Sequence, residues 1–171
     1  DFNRAMLGAV DAIDPAVVIL YAYWTYPRLE TSPGREVAHG AAPFQLALER
    51  TLRALDDRQR KVCVIGGVPT LEYKMPYAYA IARRRGIDTG FIALTPADAH
   101  AQHHELDRYL GELRQRHAFT LVDPKEALCS GHACAIVTAD GKSVYRDDNH
   151  LTVAGAHLVD GSREACFDGI G

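Results

Sequence analysis

The sequence predicts an α/β fold built on a parallel sheet, and three observations carry that expectation. Residues 16–22 (AVVILYA) form a continuous β-branched and apolar run without polar alternation. Such a run suits a strand buried on both faces, as parallel strands are. Residues 61–69 (KVCVIGGVP) repeat the pattern, and 118–123 (AFTLVD) supply a third strand. Between these runs lie stretches with helical spacing, and strands that alternate with helices imply a parallel sheet joined by right-handed crossovers.

Each element has its own local signal. Residues 3–13 carry Met6, Leu7, Val10 and Ile13 at helical spacing, and Asp14-Pro15 ends that helix. The stretch 26–43 is rich in Pro, Gly and charge and reads as loop. Residues 43–57 place Phe44, Leu48, Leu52 and Leu55 on one helical face. Gly66-Gly67 and Pro69 stop the second strand. MPYAYAIARRR (75–85) opens with Pro76 near its first helical position and ends in three arginines, which suit the negative end of a helix. Residues 87–94 fit a short strand or a loop. Thr95 caps the longest helix, to about Gln115, with Pro96 at its first position. PKEAL (124–128) is one helical turn. Residues 133–147 read as a hairpin, with Asp140-Gly141 as a type I′ turn signal. Thr152 caps a closing helix that runs to about Ala165.

The 171 residues fit a single domain spanning 1–171, with no internal repeat or dividing linker. A net charge of −3 offers no basic face for nucleic acid. The longest apolar run, residues 16–24, is far short of the roughly 20 residues that span a bilayer. No signal peptide is evident, and Asp1 begins mid-pattern, as in a piece of a longer protein. Of the four cysteines, Cys63 lies in a strand and reads as a small buried hydrophobe, while Cys166 carries no signal. Cys129 and Cys134 flank a short Ser/Gly loop that can close. A disulfide is favoured over a metal site, because no second Cys/His pair completes four ligands. A disulfide implies an oxidising compartment.

The candidate chemistry centres on Asp147 and His150, in YRDDNHLTVAGAHL (145–158). A histidine base needs a carboxylate on its Nδ1–H to fix the tautomer and stabilise the imidazolium. Three residues of separation, in a turn before a helix, can supply that bond locally. The bland alternative is a surface histidine in a solvated acidic loop. His100, His103, His104 and Glu105 lie on the long helix without a third ligand and base in position, so a solvated polar face is expected there and no metal. His117 reads as a complement to the helix dipole. Tyr21, Tyr23, Trp24 and Tyr26 end the first strand, and Trp24 is a candidate for a substrate pocket, with a core or rim role as the alternative. Ser32, Ser130, Ser143 and Ser162 do not follow a buried strand, the context that a hydrolase serine requires.

Several segments together resemble a known family. DPAVVILYAYWTY (14–26), KVCVIGGVPTLEYKMPYAYAIAR (61–83), the cysteine pair of LCSGHAC (128–134) and DGKSVYRDDNHLTVAGA (140–156) are similar to the SGNH-type domain at the C-terminus of membrane acyltransferases of the acyltransferase-3 family. The match covers residues 16–158, and its last segment is the most specific. The resemblance implies a flavodoxin-like three-layer αβα fold with a parallel sheet and a serine triad at the strand C-terminal edge. In it His150 is the general base and Asp147 its orienting carboxylate. The family's serine sits in a G-D-S motif after the first strand, and this sequence contains no G-D-S. The first strand and its serine are therefore expected upstream of Asp1. The Asn of the third SGNH block is absent near Trp24, as in many fused members, which leaves the oxyanion hole undefined.

The implied chemistry is acyl transfer, of acetyl above all, to or from hydroxyls of envelope or secreted glycans. The resemblance implies no cofactor in this domain. A fused membrane domain would draw on a donor such as acetyl-CoA, and this domain would lie on the periplasmic side, tethered to the inner membrane. A non-catalytic glycan-binding module with the same fold is the competing expectation.

Overall fold

The computed structural model describes residues 2–22, 24, 41–56 and 60–168. The order is α1 (Phe2–Ile13), β1 (Val17–Leu20), α2 (Ala41–Asp56), β2 (Lys61–Ile65), α3 (Met75–Arg85), a 3₁₀ turn (Thr89–Ile92), α4 (Pro96–Arg114), β3 (Thr120–Val122), α5 (Pro124–Leu128) and α6 (Val153–Glu164). The three strands form a parallel sheet in the order β1-β2-β3. Val18 pairs with Val62 and Val64 with Leu121. The mixed α/β architecture with a parallel sheet is the predicted one. Most of the expected loop 26–43, with Tyr23, Tyr26 and Ser32, lies outside the described residues.

The central strand behaves as its sequence predicts, with Val62, Cys63 and Val64 all buried. One sheet face packs Val18, Val62 and Val64 against Leu52 and Leu55 of α2 and Leu110 and Leu113 of α4. On the other face Cys63 and Val122 meet Cys166, just beyond α6. The first strand departs from expectation. Ile19 is 40% exposed and Tyr21 57% exposed. Among the described residues β1 pairs only with β2, so one edge and part of one face stay open. An apolar run reads the same whether its outer face is covered or not.

The segment expected to be strand or loop at 87–94 contains the 3₁₀ turn, capped by Asp88, whose carboxylate accepts from the Gly90 N–H at 3.0 Å. The expected hairpin is reduced to one isolated antiparallel bridge, Val137 with Ser143, and a second bridge, Tyr145 with Leu151, spans the turn that follows it. The hairpin turn is not type I′, which needs positive φ at two residues. Only Gly141 has positive φ there, at 81°. Gly141 N–H donates to the Thr138 carbonyl at 2.9 Å, and Thr138 N–H to the Lys142 carbonyl at 2.8 Å. This is the longer loop in which a glycine in the left-handed region closes the hairpin.

Both predicted threonine caps are present. Thr95 Oγ1 accepts from Asp98 N–H at 3.1 Å, and Thr152 Oγ1 from Gly155 N–H at 3.0 Å. The start of α6 lies so close to the preceding strand segment that a Cβ on Gly155 would come within 2.1 Å of the Val144 carbonyl oxygen. Only glycine permits that approach, and it sets the direction in which α6 leaves the His150 turn.

Cys129 and Cys134 are joined in a disulfide inside the apolar cluster formed with Met75, Leu128, Ile136 and Val144. The reading of Cys63 as a lone hydrophobe is corrected: it is bonded to Cys166, 103 residues away. Burial masked the second bridge, since a cysteine in a strand looks alike in either role. With no free cysteine, a thiol titration in denaturant without reductant should count none. Four free thiols would contradict both bridges. In the chain-entropy view, breaking the long-range bridge should cost about 5 kcal/mol. Gly155→Ala should destabilise the fold by about 1–3 kcal/mol through overpacking, read as a lower urea midpoint.

Candidate active site

The turn at 146–151 is built from the carboxylate of Asp147. Its Oδ1 accepts from the backbone N–H groups of Asn149 at 3.0 Å and His150 at 2.8 Å. Its Oδ2 lies 2.8 Å from His150 Nδ1. Asp and Asn favour such turns because a short side chain can take the place of a backbone acceptor. Arg146 N–H donates to the His150 carbonyl at 2.8 Å and closes the loop. The same oxygen pair thus folds the turn and aims the imidazole. With Nδ1 facing a carboxylate, Nδ1 carries the proton and Nε2 is left as the basic nitrogen. The His150 ring is largely exposed, and Nε2 has no partner among the described residues.

Electrostatics agree with the geometry. Burial alone would raise the Asp147 pKa, but the two backbone donors and the His150 ring outweigh it and lower it to about 2. Asp147 is therefore ionised throughout the range in which a histidine base works.

The turn is held from outside as well. Leu71 N–H donates to the Asp148 carbonyl at 2.8 Å, and Met75 N–H to the Asp147 carbonyl at 3.0 Å. The 66–74 loop, which supplies the Leu71 donor and leads into Met75 at the start of α3, is itself clamped to α4. Gln102 accepts from Thr70 N–H at 3.0 Å and donates to the Thr70 carbonyl at 2.8 Å. Gly67 lets the buried His103 ring pack against this loop, since a Cβ there would lie 2.2 Å from His103 Cδ2. Burial pushes the pKa of His103 down, despite its contact with the Ala99 carbonyl. The expected solvated histidine face is corrected at this position: His100 and His104 are exposed, whereas His103 is core. Helical spacing misses this because Gly66-Gly67, far away in sequence, makes the room.

Beside His150 opens a cleft of about 360 Å³ at the C-terminal ends of the strands. Ile65, Val68, Val122 and Leu151 give it an apolar wall, and Arg146 and Arg163 stand at its polar side. Trp24 does not line it. Its indole N–H donates to the Ile65 carbonyl at 2.7 Å, and its ring meets Phe44 edge-on at 5.6 Å. Trp24 thus braces a wall residue from behind, the core alternative that its sequence left open. Ser143 Oγ donates to the Tyr145 carbonyl at 2.6 Å and is committed to the backbone. No serine among the described residues is bonded to His150.

Two further ionic features escaped the sequence reading. Lys125 is fully buried, its ammonium 3.1 Å from Asp107 and 2.9 Å from Asp123. His100, Asp107 and Asp123 bring ligand-type atoms within 4.8 Å of one another. The Lys125 ammonium already bonds both carboxylates, so this group reads as a structural ion-pair cluster. His117, expected at a helix end, pairs there with Asp56.

The comparisons with known proteins bear on the family and the fold. The family model described as "SGNH domain (fused to AT3 domains)" matches residues 1–162. No curated protein sequence matches the chain. Among solved structures, the periplasmic domain of a lipopolysaccharide acetyltransferase from Salmonella ser. Paratyphi A matches with a TM-score of 0.62 at 15% identity. That alignment covers 95% of this chain and 60% of the other, so the chain spans 60% of the length of that domain. Identity this low shows a shared fold. With the family model covering nearly all of the sequence, the chain belongs to the SGNH domains that are fused to AT3 domains.

Proposed function

We propose that this domain moves an acyl group, acetyl above all, to or from hydroxyls of cell-envelope or secreted glycans. The observation that carries the reading is the 2.8 Å bond between Asp147 Oδ2 and His150 Nδ1, with Nε2 open beside a cleft at the strand ends. In this role His150 accepts a proton from a serine hydroxyl as that oxygen attacks the acyl carbonyl. The same proton goes to the leaving group of the acyl donor as its bond to the acyl carbon breaks, and an acyl-serine forms. In the second half His150 deprotonates the acceptor, a glycan hydroxyl for transfer or water for hydrolysis, and the serine is regenerated. Asp147 stays ionised and stabilises the imidazolium at each step.

The serine is proposed to come from sequence outside these 171 residues, in the G-D-S context of the family. The open edge of β1 and the exposed Ile19 and Tyr21 support this, since a further strand and its covering layer would fit there. A fused membrane acyltransferase domain would supply the acyl group from a donor such as acetyl-CoA, and this domain would need no cofactor of its own. Two disulfides favour an oxidising, periplasmic setting. No helix among the described residues is long and apolar enough to cross a membrane. The competing glycan-binding reading is weaker, because the Trp24 ring and N–H are already engaged within the fold.

In the complete protein, Asp147→Asn should lower kcat on the order of 10⁴-fold through loss of the correct tautomer. Full activity in that variant would refute the assignment. Because Asn cannot accept two backbone N–H groups and the ring as a carboxylate does, a thermal melt should accompany the assay. Titration of the Asp147 carboxyl by NMR should give a midpoint of about 2. A folded-state pKa below the ordinary value stabilises the fold above the usual carboxylate range. That contribution is lost as the pH falls through about 2. The acid limb of the activity profile should therefore not belong to Asp147.

A further inference from the structure

Five of the exposed large hydrophobic side chains, Tyr73, Tyr77, Ile81, Ile87 and Phe91, lie on or beside helix α3. Helix α3 begins where Met75 holds the Asp147 carbonyl and runs for 11 residues, about 16 Å. Tyr73, Tyr77 and Ile81 recur every four residues along it. With Ile87 and Ile92 they line an open groove of about 460 Å³. Tyr77 is 74% exposed, and Phe91 in the adjoining 3₁₀ turn is 81% exposed. The helix ends in Arg83, Arg84 and Arg85, all exposed, and none of them pairs with a carboxylate among the described residues. A helix dipole favours cations at that end, but it does not account for the apolar stripe that leads to them.

We propose that this face docks on the surface of an anionic lipid bilayer. Tyr77, Ile81 and Phe91 would seat at the boundary between headgroups and acyl chains, and Arg84 and Arg85, which share the helical face of Tyr77 and Ile81, would meet lipid phosphates. Interfacial helices combine these two features, an apolar face rimmed by cations. The charge is complementary only locally: residues 72–92 carry Lys74 and the three arginines against Glu72 and Asp88, while the chain as a whole has a net charge of −3. Glu72, Tyr73, Lys74 and Tyr77 also line the groove and offer a sugar hydrogen bonds, so the choice of lipid over glycan rests on the arginines, which have no carboxylate partner among the described residues. The inference does not depend on acyl transfer, since binding is read without turnover.

The test is cosedimentation of the complete SGNH domain, including its upstream sequence, with vesicles of phosphatidylcholine alone and with 30% phosphatidylglycerol, at low and high salt. Binding should require phosphatidylglycerol, and it should weaken as salt screens the arginines. Replacing all three, Arg83→Gln, Arg84→Gln and Arg85→Gln, should weaken it on the order of 10- to 100-fold. Phe91→Ser should weaken it independently, and circular dichroism should show both variants folded. Equal binding to both vesicles, no binding to either, or insensitivity of the wild type to salt would overturn the proposal. Loss of acceptor affinity in Tyr77→Ala of the complete enzyme, with vesicle binding unchanged, would assign the groove to glycan instead.

Discussion

One carboxylate organises the functional end of this fold. Asp147 uses one oxygen to fold its own turn and the other to aim the His150 ring. The carboxylate and the imidazole are only three residues apart and share one turn. The bond between them therefore needs no long-range alignment of the two partners. What must be aligned is the whole turn against the rest of the site, and that task falls to the backbone of residues 71–75.

The supports of the turn form a chain of contacts leading back to the core. Gln102 on α4 fixes the Thr70 loop, and that loop, with Met75 at the start of α3, donates to the carbonyls of Asp147 and Asp148. On the other side, Thr152 caps α6, and Gly155 lets the helix approach Val144. The disulfide at Cys129–Cys134 and the buried Tyr145 lie in the cluster under the same turn. Position is thus conferred by groups that take no part in chemistry, as expected for sites held by a rigid scaffold.

The parts legible in the sequence were those fixed by local physics. Strand β2, the capped starts of α4 and α6, and the Asp147–His150 pair each depend on residues close together in the chain. What stayed hidden depends on distant residues. His103 is buried because Gly67 makes room, Lys125 because Asp107 and Asp123 neutralise it, and Cys63 is bridged because Cys166 reaches it. Trp24 was ambiguous for the same reason: its partner, the Ile65 carbonyl, is 41 residues away. The open face of β1 was misread because hydrophobic content says nothing about what covers a strand. The Asp140-Gly141 signal located the turn correctly and missed only its type, since a glycine with positive φ suits both geometries.

The central claim is that His150 serves as the base for a serine nucleophile. It is tested most directly by labelling the complete protein with a serine-directed fluorophosphonate, followed by mass spectrometry. The account predicts a covalent adduct on one serine, in a G-D-S context, and a rate of labelling that falls by at least about 100-fold in His150→Ala. Labelling at the same rate without the histidine, or no labelling of the native protein at all, would contradict it.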